Sequence, residues 1–197
     1  MSPDPPLPDD VQCMNRLKAG DDLALNDIMT RWQTPLVSFI LRYTGNQEDA
    51  RDLAQETFVR VYESRDRYQP GAKFSTWLYT IATNQVKDRY RWRSRHPQMS
   101  LDAENEQTGN SLGEHLPAHD PTPSDCLQAD ERAEAVRCAV AALPEELRQP
   151  LLLAEYEQRS HAKIGTILGC TAKAVETRIY RARQQIRVSL GTLLETV

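Results

Sequence analysis

The chain lacks closely spaced cysteines. Its four cysteines, Cys13, Cys126, Cys138 and Cys170, are spread along 197 residues without a CxxC pair. A structural zinc site needs four well-spaced ligands, and a small disulfide-stabilised domain needs a denser set of cysteines. We therefore expect reduced thiols and no metal.

Long apolar runs are also missing. No stretch approaches the roughly 20 apolar residues that a bilayer-spanning helix requires. The first ten residues, MSPDPPLPDD, are acidic and rich in proline, whereas a secretory signal is basic and then apolar. The sequence thus predicts no membrane insertion of its own and a cytoplasmic location.

The common sequence signatures of catalysis are absent as well. The chain contains no glycine-rich phosphate loop, no GxSxG nucleophile motif and no HExxH metal motif. Its many carboxylates lie on helix faces without a pattern that brings them together. We expect no enzymatic activity and no cofactor.

The net charge of −4 conceals an uneven distribution. Residues 96–131 carry eight carboxylates and no Lys or Arg, while basic residues concentrate at 87–95 and 159–187. Basic clusters of this kind are typical of surfaces that contact nucleic acid, and the acidic segment would be repelled by phosphates.

The composition predicts an all-α protein of two small helical domains joined by a flexible acidic linker. No run of alternating β-branched residues indicates a sheet. Residues 96–125 contain four prolines and few large apolar residues, so they cannot bury enough surface to offset ordering. We therefore predict domains at 1–95 and 126–197 with the linker between them.

Helix signals are clear in both predicted domains. Asn46, followed by Asp49, predicts a helix start, and Ser75 is a candidate cap for a later helix. The apolar stripe of the first of these helices comprises Ala50, Leu53, Ala54, Thr57, Phe58 and Val61. In the C-terminal domain, Ser160 starts a short helix, and the turn Gly169-Cys170-Thr171 leads to a longer basic one. This order predicts a helix-turn-helix, whose second helix enters the DNA major groove.

Two segments carry a family resemblance. The pair DARDLAQETFVRVYE (49–63) and FSTWLYTIATNQVKDRYRWRSR (74–95) closely resembles region two of bacterial sigma factors. Residues 142–187 resemble their region four, and the absence of a middle domain resembles the extracytoplasmic-function (ECF) group. The resemblance implies that the protein binds the largest subunits of core RNA polymerase, directs it to promoters at −35 and −10 elements, and aids strand opening.

The resemblance assigns core-polymerase binding to the acidic face of the helix at 49–63. Its residues there are Asp52, Leu53, Gln55, Glu56 and Phe58. Leu53 and Phe58 also lie on the apolar stripe, which favours a place in the domain core. Gln55 and Glu56 are therefore the stronger candidates.

The resemblance places −10 recognition on the helix at 74–95 and the loop before it. The candidates are Tyr68, Lys73, Trp77, Tyr79, Asn84, Lys87 and Arg91. A base removed from the stack needs a stacking surface and polar groups for its edge. Asn84 ranks first because its amide supplies donors and an acceptor, whereas Trp77 is equally consistent with a core position.

The last helix is the predicted −35 reader. Its candidates are Thr171, Lys173, Glu176, Thr177, Arg178, Tyr180, Arg181 and Arg183. Lys173, Glu176, Thr177, Tyr180 and Arg181 are placed for base edges, and Arg178 and Arg183 for phosphates. Glu176 either accepts from cytosine N4 or supports Tyr180 or Arg181 within the helix.

The resemblance also implies an anti-sigma factor, often membrane-linked, that covers the core-binding surfaces of both domains. The acidic linker either threads the active-centre cleft of the polymerase in place of RNA or serves as a solubilising tether.

The alternative function is an ordinary helix-turn-helix repressor or activator. Such a protein would bind duplex operator DNA alone, whereas a sigma factor requires core polymerase.

Overall fold

The computed structural model describes residues 9–71, 73–95 and 123–194. Regular structure within these ranges is helical, which confirms the all-α prediction. The helices are α1 (Asp10–Lys18), α2 (Ala24–Thr44), α3 (Gln47–Glu63), α4 (Phe74–Arg95), α5 (Pro123–Ala141), α6 (Glu145–Glu155), α7 (His161–Leu168) and α8 (Ala172–Leu194), with a 3₁₀ turn at Arg65–Arg67. Residues 96–122 of the predicted linker lie outside the described residues, and its last three residues begin α5.

The first four helices form an N-terminal bundle in which α2 packs on α1 and α3, and α3 packs on α4. Gly45 ends α2 in the left-handed conformation (φ 71°), which glycine adopts without strain. The side chain of Asn46 accepts the backbone N–H of Asp49 at 2.9 Å, so the predicted start of α3 is confirmed. The predicted cap at Ser75 is wrong, because α4 begins at Phe74 and the Ser75 hydroxyl instead accepts from Arg159.

The stripe predicted for α3 forms the centre of the N-terminal bundle. All six of its residues are buried, with exposed fractions of 3% or less. Thr57 is the polar member. Its hydroxyl shares its single proton between two acceptors, the Leu53 carbonyl at 2.7 Å and Oε1 of Gln85, on α4, at 2.5 Å. This contact fixes the rotation of α4 relative to α3.

Thr57→Val is therefore expected to destabilise the protein by about 1–3 kcal/mol, because it leaves the buried Gln85 amide without its partner. Chemical denaturation followed by circular dichroism measures the loss. Thr57→Ser keeps the hydroxyl and is the matched control. Equal stability of the valine and serine variants would contradict the role given to this contact.

The last four helices form a C-terminal bundle in which α8 packs on α5, α6 and α7. Between α7 and α8, Gly169 takes the left-handed conformation (φ 67°), and Thr171 Oγ1 accepts the backbone N–H of Ala174 at 3.2 Å. On α8, Val175 and Ile179 are buried against the bundle. The short helix, the turn and the longer second helix are those of the predicted helix-turn-helix.

The two bundles are in contact along an interface that we call the seam. Here α4 packs on α7, and α2 packs on α5 and α6. The buried apolar residues of both bundles belong to one continuous cluster. Each bundle has only a small interior of its own, so burial at the seam adds to the stability of both.

Candidate polymerase and nucleic-acid interfaces

The outward face of α3 presents the polar side chains predicted to bind polymerase. Asp52, Gln55 and Glu56 are exposed, whereas Leu53 and Phe58 are only 1% and 3% exposed. The structure thus places the two apolar candidates in the core, where they support the face from behind. Val59 was not predicted from the sequence, yet it is 54% exposed and adds an apolar contact next to Gln55 and Glu56.

The outward side of α4 carries Asn84, which is exposed, and Arg91, which is exposed and lies 3.9 Å from Asp88. Lys87 is half-buried, and Lys73 is exposed just before the helix begins. These four side chains leave hydrogen-bonding groups available to a ligand along about five turns of helix.

Aromatic rings cluster at the start of α4. Trp77 is half-buried, with its ring centroid 5.3 Å from that of Tyr68 and 6.1 Å from that of Phe74. Tyr68 is 1% exposed, and burial raises the pKa of its phenol. Of these aromatic candidates, only Trp77 is therefore partly exposed to solvent.

Tyr79 lies at the opposite side of α4, inside the seam. Its ring packs edge-on against Phe39, with the centroids 5.1 Å apart, and its hydroxyl donates to Glu157 of the C-terminal bundle. Burial, followed by the hydrogen bond to the Glu157 carboxylate, raises the pKa of Tyr79 far above its ordinary value. The phenol consequently remains a neutral donor.

The predicted −35 reader is exposed along α8. Thr171, Lys173, Glu176, Thr177, Tyr180, Arg181 and Arg183 are exposed, and Arg178 is half-buried. Tyr180, at 64% exposed, is the most prominent apolar group on this face. The helix therefore presents a mixed polar and basic surface of the kind that enters a DNA groove.

Glu176 pairs with Lys173, a contact that the sequence reasoning did not consider. Its carboxylate lies 2.9 Å from Lys173 Nζ, and this contact lowers the pKa of Glu176. The pair is surface-exposed, so it contributes little stability but keeps the carboxylate ionised. Arg183, predicted to contact phosphate, lies 2.6 Å from Glu155.

The structure brings together residues that the sequence assigned to separate DNA elements. Lys87 of α4 and Arg178 of α8 line one groove of about 390 Å³, together with Glu145, Glu146 and other residues of the C-terminal bundle. The seam residues Glu157 and Arg159 were missed because their partners are 78 and 84 positions away in the sequence. No local pattern signals such a pairing.

Comparisons with known proteins agree with this architecture in both halves. A family model described as Sigma-70 region 2 matches residues 28–96, and one described as Sigma-70, region 4 matches residues 133–186. The RNA polymerase sigma-H factor of Pseudomonas aeruginosa is 32% identical over 185 residues, covering 94% of this chain and 95% of the relative. The ECF RNA polymerase sigma factor SigW of Bacillus subtilis is 34% identical over 181 residues, covering 91% and 96%.

Solved structures share the fold. CnrH, determined in complex with the cytosolic domain of CnrY, superposes with a TM-score of 0.67 at 22% identity, covering 93% of this chain and 97% of that one. The sigma factor RpoE of Bartonella quintana, determined with the anti-sigma factor NepR, gives a TM-score of 0.63 at 20% identity, covering 84% and 96%.

The chain belongs to the sigma-70 family of bacterial RNA polymerase sigma factors, in its ECF group. It is a promoter-directing factor that binds core polymerase, and its relatives are sigma factors rather than enzymes. An ordinary operator-binding repressor would not account for the match at residues 28–96. In the part of the chain that the structure describes, no helix has the length and apolar character needed to span a membrane.

Proposed function

We propose that this ECF sigma factor divides promoter recognition between two helices, with α4 reading and opening the −10 element and α8 reading the −35 element. The observation that carries the proposal is the exposure of Asn84 on α4 together with the exposed basic face of α8 in a helix-turn-helix. Both faces offer hydrogen-bonding groups on rigid helices, which direct base readout requires.

At the −10 element, Asn84 contacts a base edge, Lys73, Lys87 and Arg91 contact phosphates, and Trp77 offers a ring for stacking. An asparagine amide supplies two donor protons and an acceptor, which suits the edge of an unpaired base. The −10 contacts of Tyr68 and Tyr79 stay predictions, because both side chains are buried in this conformation.

At the −35 element, Lys173, Thr177, Tyr180 and Arg181 reach base edges from the first turns of α8, and Arg178 and Arg183 contact phosphates. Glu176 accepts a hydrogen bond from a cytosine amino group when Lys173 leaves its ion pair with Glu176 and contacts the DNA phosphate backbone instead. Phosphate contacts of this kind raise affinity without sequence preference and weaken steeply with salt. The role of Thr171 is to start α8 through its hydrogen bond to Ala174.

Run-off transcription with purified core polymerase on a promoter library tests the proposal. The wild-type protein is expected to initiate from a narrow set of promoters that share a −35 and a −10 motif. Initiation without any shared motif, or operator binding by the protein alone at equal affinity, would contradict it.

Core polymerase binds the outward face of α3 in this proposal, through Asp52, Gln55 and Glu56. Glu56→Lys is expected to lower the affinity for core polymerase about tenfold, because charge reversal at a complementary interface adds repulsion. Fluorescence anisotropy with labelled protein measures the change.

The matched control for Glu56→Lys is Asp66→Lys. Asp66 is an exposed carboxylate in the 3₁₀ turn, outside the proposed face, and its reversal changes the net charge by the same amount. If both variants lose affinity equally, the effect is one of net charge, and the assignment of the α3 face is wrong.

An anti-sigma factor is the proposed regulatory partner, and the cytoplasm, where polymerase and promoter DNA are found, is the proposed place of action. Support comes from CnrH and RpoE, whose structures were determined with CnrY and with the anti-sigma factor NepR. The acidic linker, which lies mostly outside the described residues, is proposed to follow the positively charged path of RNA through the polymerase.

A further inference from the structure

One lysine of the first helix contacts the loop that precedes α4. The ammonium group of Lys18, in the last turn of α1, donates a hydrogen bond to the backbone carbonyl of Tyr68. The same ammonium lies 5.8 Å from the centroid of the Tyr68 ring. Lys18 therefore holds this loop residue at two points, its backbone and its ring.

Tyr68 in turn supports the aromatic side chain proposed to stack on a −10 base. Its ring centroid lies 5.3 Å from that of Trp77 and 6.0 Å from that of Phe74. Tyr68 and Phe74 are buried, whereas Trp77 is half-buried at the edge of the cluster. Packed side chains adjust to the position of their neighbours. The place of the Tyr68 ring therefore sets the orientation in which the Trp77 ring meets the solvent.

The helix that carries Lys18 is itself attached to α2 at both ends. Asp10, in the first turn of α1, accepts hydrogen bonds from the Arg31 guanidinium and, at 3.0 Å, from Trp32 Nε1. Near the other end of α1, Arg16 lies 2.8 Å from the Asp27 carboxylate. Charge-assisted contacts of this kind are directional. The Lys18 side chain thus extends from a helix whose position is fixed.

A lysine in the last turn of a helix also has a simpler role, since a cation there interacts favourably with the helix dipole. Any exposed Lys or Arg in that turn fulfils this role, and Arg16 is one. Lys18 differs from Arg16 in being half-buried and in contacting Tyr68. The contribution specific to Lys18 is therefore its contact with the loop before α4.

We propose that Lys18 is a positioning residue for −10 recognition: by holding Tyr68 in place, it keeps the Trp77 ring in the orientation that stacks on a base of the opened strand. Lys18 itself contacts no DNA. The promoter part of this inference rests on the proposed role of α4, whereas the effect of Lys18 on the Trp77 ring does not.

The conformational test uses fluorine NMR of the full chain labelled with fluorinated tryptophan. The three tryptophans give three resonances, each assigned by a Trp→Phe variant. Lys18→Met keeps a long side chain but removes its charge and its donor, and it is expected to shift and broaden the Trp77 resonance. Trp92 lies about 22 Å further along α4, so its resonance is the internal reference. An unchanged Trp77 resonance would overturn the proposal.

Matched variants separate this role from loss of charge or of folding. Lys18→Arg keeps a cation with donors and is expected to leave the Trp77 resonance close to that of the wild type. Arg16→Met removes the same charge from the same helix and breaks only exposed ion pairs, which contribute little stability. A Trp77 shift of equal size in Arg16→Met would overturn the specific role of Lys18. Lys18→Gln replaces Lys18→Met in these comparisons if the methionine variant does not fold.

The functional test is run-off transcription with core polymerase on promoters that vary in the −10 or the −35 element. Lys18→Met is expected to reduce discrimination at the −10 element about threefold to tenfold, the range that corresponds to one cation–π contact or one hydrogen bond. Preference at the −35 element and affinity for core polymerase should stay unchanged, whereas a folding defect would lower both. Equal −10 preference in Lys18→Met and wild type would overturn the proposal.

A double-mutant cycle tests whether Lys18 acts through the Trp77 ring. In a Trp77→Ala background, Lys18→Met is expected to change the −10 preference no further, because the ring that it positions is gone. Additive losses would overturn the proposed route. A wild-type factor without any −10 preference, or a Trp77→Ala variant with the full wild-type preference, would instead contradict the proposed function.

Discussion

Replacing Asn84 with alanine is expected to reduce discrimination at one −10 position about tenfold or more. The asparagine amide lies exposed on α4, clear of the buried stripe, so its loss removes base-edge hydrogen bonds without opening a cavity. A well-aligned bidentate contact to a base contributes about 1–3 kcal/mol of discrimination. Because the contact forms with an unpaired base, the loss should be larger in open-complex formation than in duplex binding.

Run-off transcription on a library randomised at the −10 element measures the preference. The matched control is Asp88→Ala, one turn further along α4, where an exposed carboxylate is removed. That variant is expected to raise affinity for DNA similarly on all sequences, because it removes repulsion of phosphate and releases Arg91 from its ion pair, and neither effect depends on base sequence. If Asn84→Ala leaves every −10 preference intact, the residue does not read a base.

The second large effect is expected from Gly165→Ala in the helix-turn-helix. A Cβ at this position would lie 2.6 Å from the backbone oxygen of Cys170, well inside normal contact distance. The Cys170 N–H donates to the Gly165 carbonyl at 2.9 Å, and this bond holds the two backbone segments close together. We expect a loss of about 1–3 kcal/mol in stability, as for other overpacked interiors, and weaker −35 binding as the turn shifts.

Chemical denaturation and promoter binding by holoenzyme measure the two consequences. Gly191→Ala is the matched control, since a Cβ there meets nothing within 4 Å. In the helix interior, alanine is favoured over glycine by up to about 1 kcal/mol, so this variant should gain stability. Equal stability of the two variants would show that the turn accommodates a methyl group.

Local sequence patterns predicted the elements that depend on neighbours in the chain. The stripe of α3 and its start at Asn46 follow from residues three and four positions apart, and the helix-turn-helix follows from Gly169 and Thr171. The predicted cap at Ser75 is wrong, because α4 begins at Phe74 and the Ser75 hydroxyl accepts from Arg159 of the other bundle. A cap is a local preference, and tertiary contacts override it.

The solvent exposure of individual side chains was harder to predict than the positions of the helices. Tyr68 and Tyr79 lie where the resemblance expects DNA contacts, yet the aromatic cluster and the seam bury both. Asn84, by contrast, follows the helical period onto the outer side. Periodicity gives the face of a helix, but what covers that face depends on segments that are distant in the sequence.

The tryptophan residues allow the two halves of the molecule to be followed by different spectroscopic signals. All three tryptophans, Trp32, Trp77 and Trp92, precede residue 95, and none belongs to the C-terminal bundle. Intrinsic tryptophan emission therefore observes the N-terminal bundle, whereas far-ultraviolet ellipticity observes both. Tryptophan fluorescence and circular dichroism of one unlabelled sample can therefore be compared during unfolding. A difference between the two signals would show that the two bundles unfold at different times.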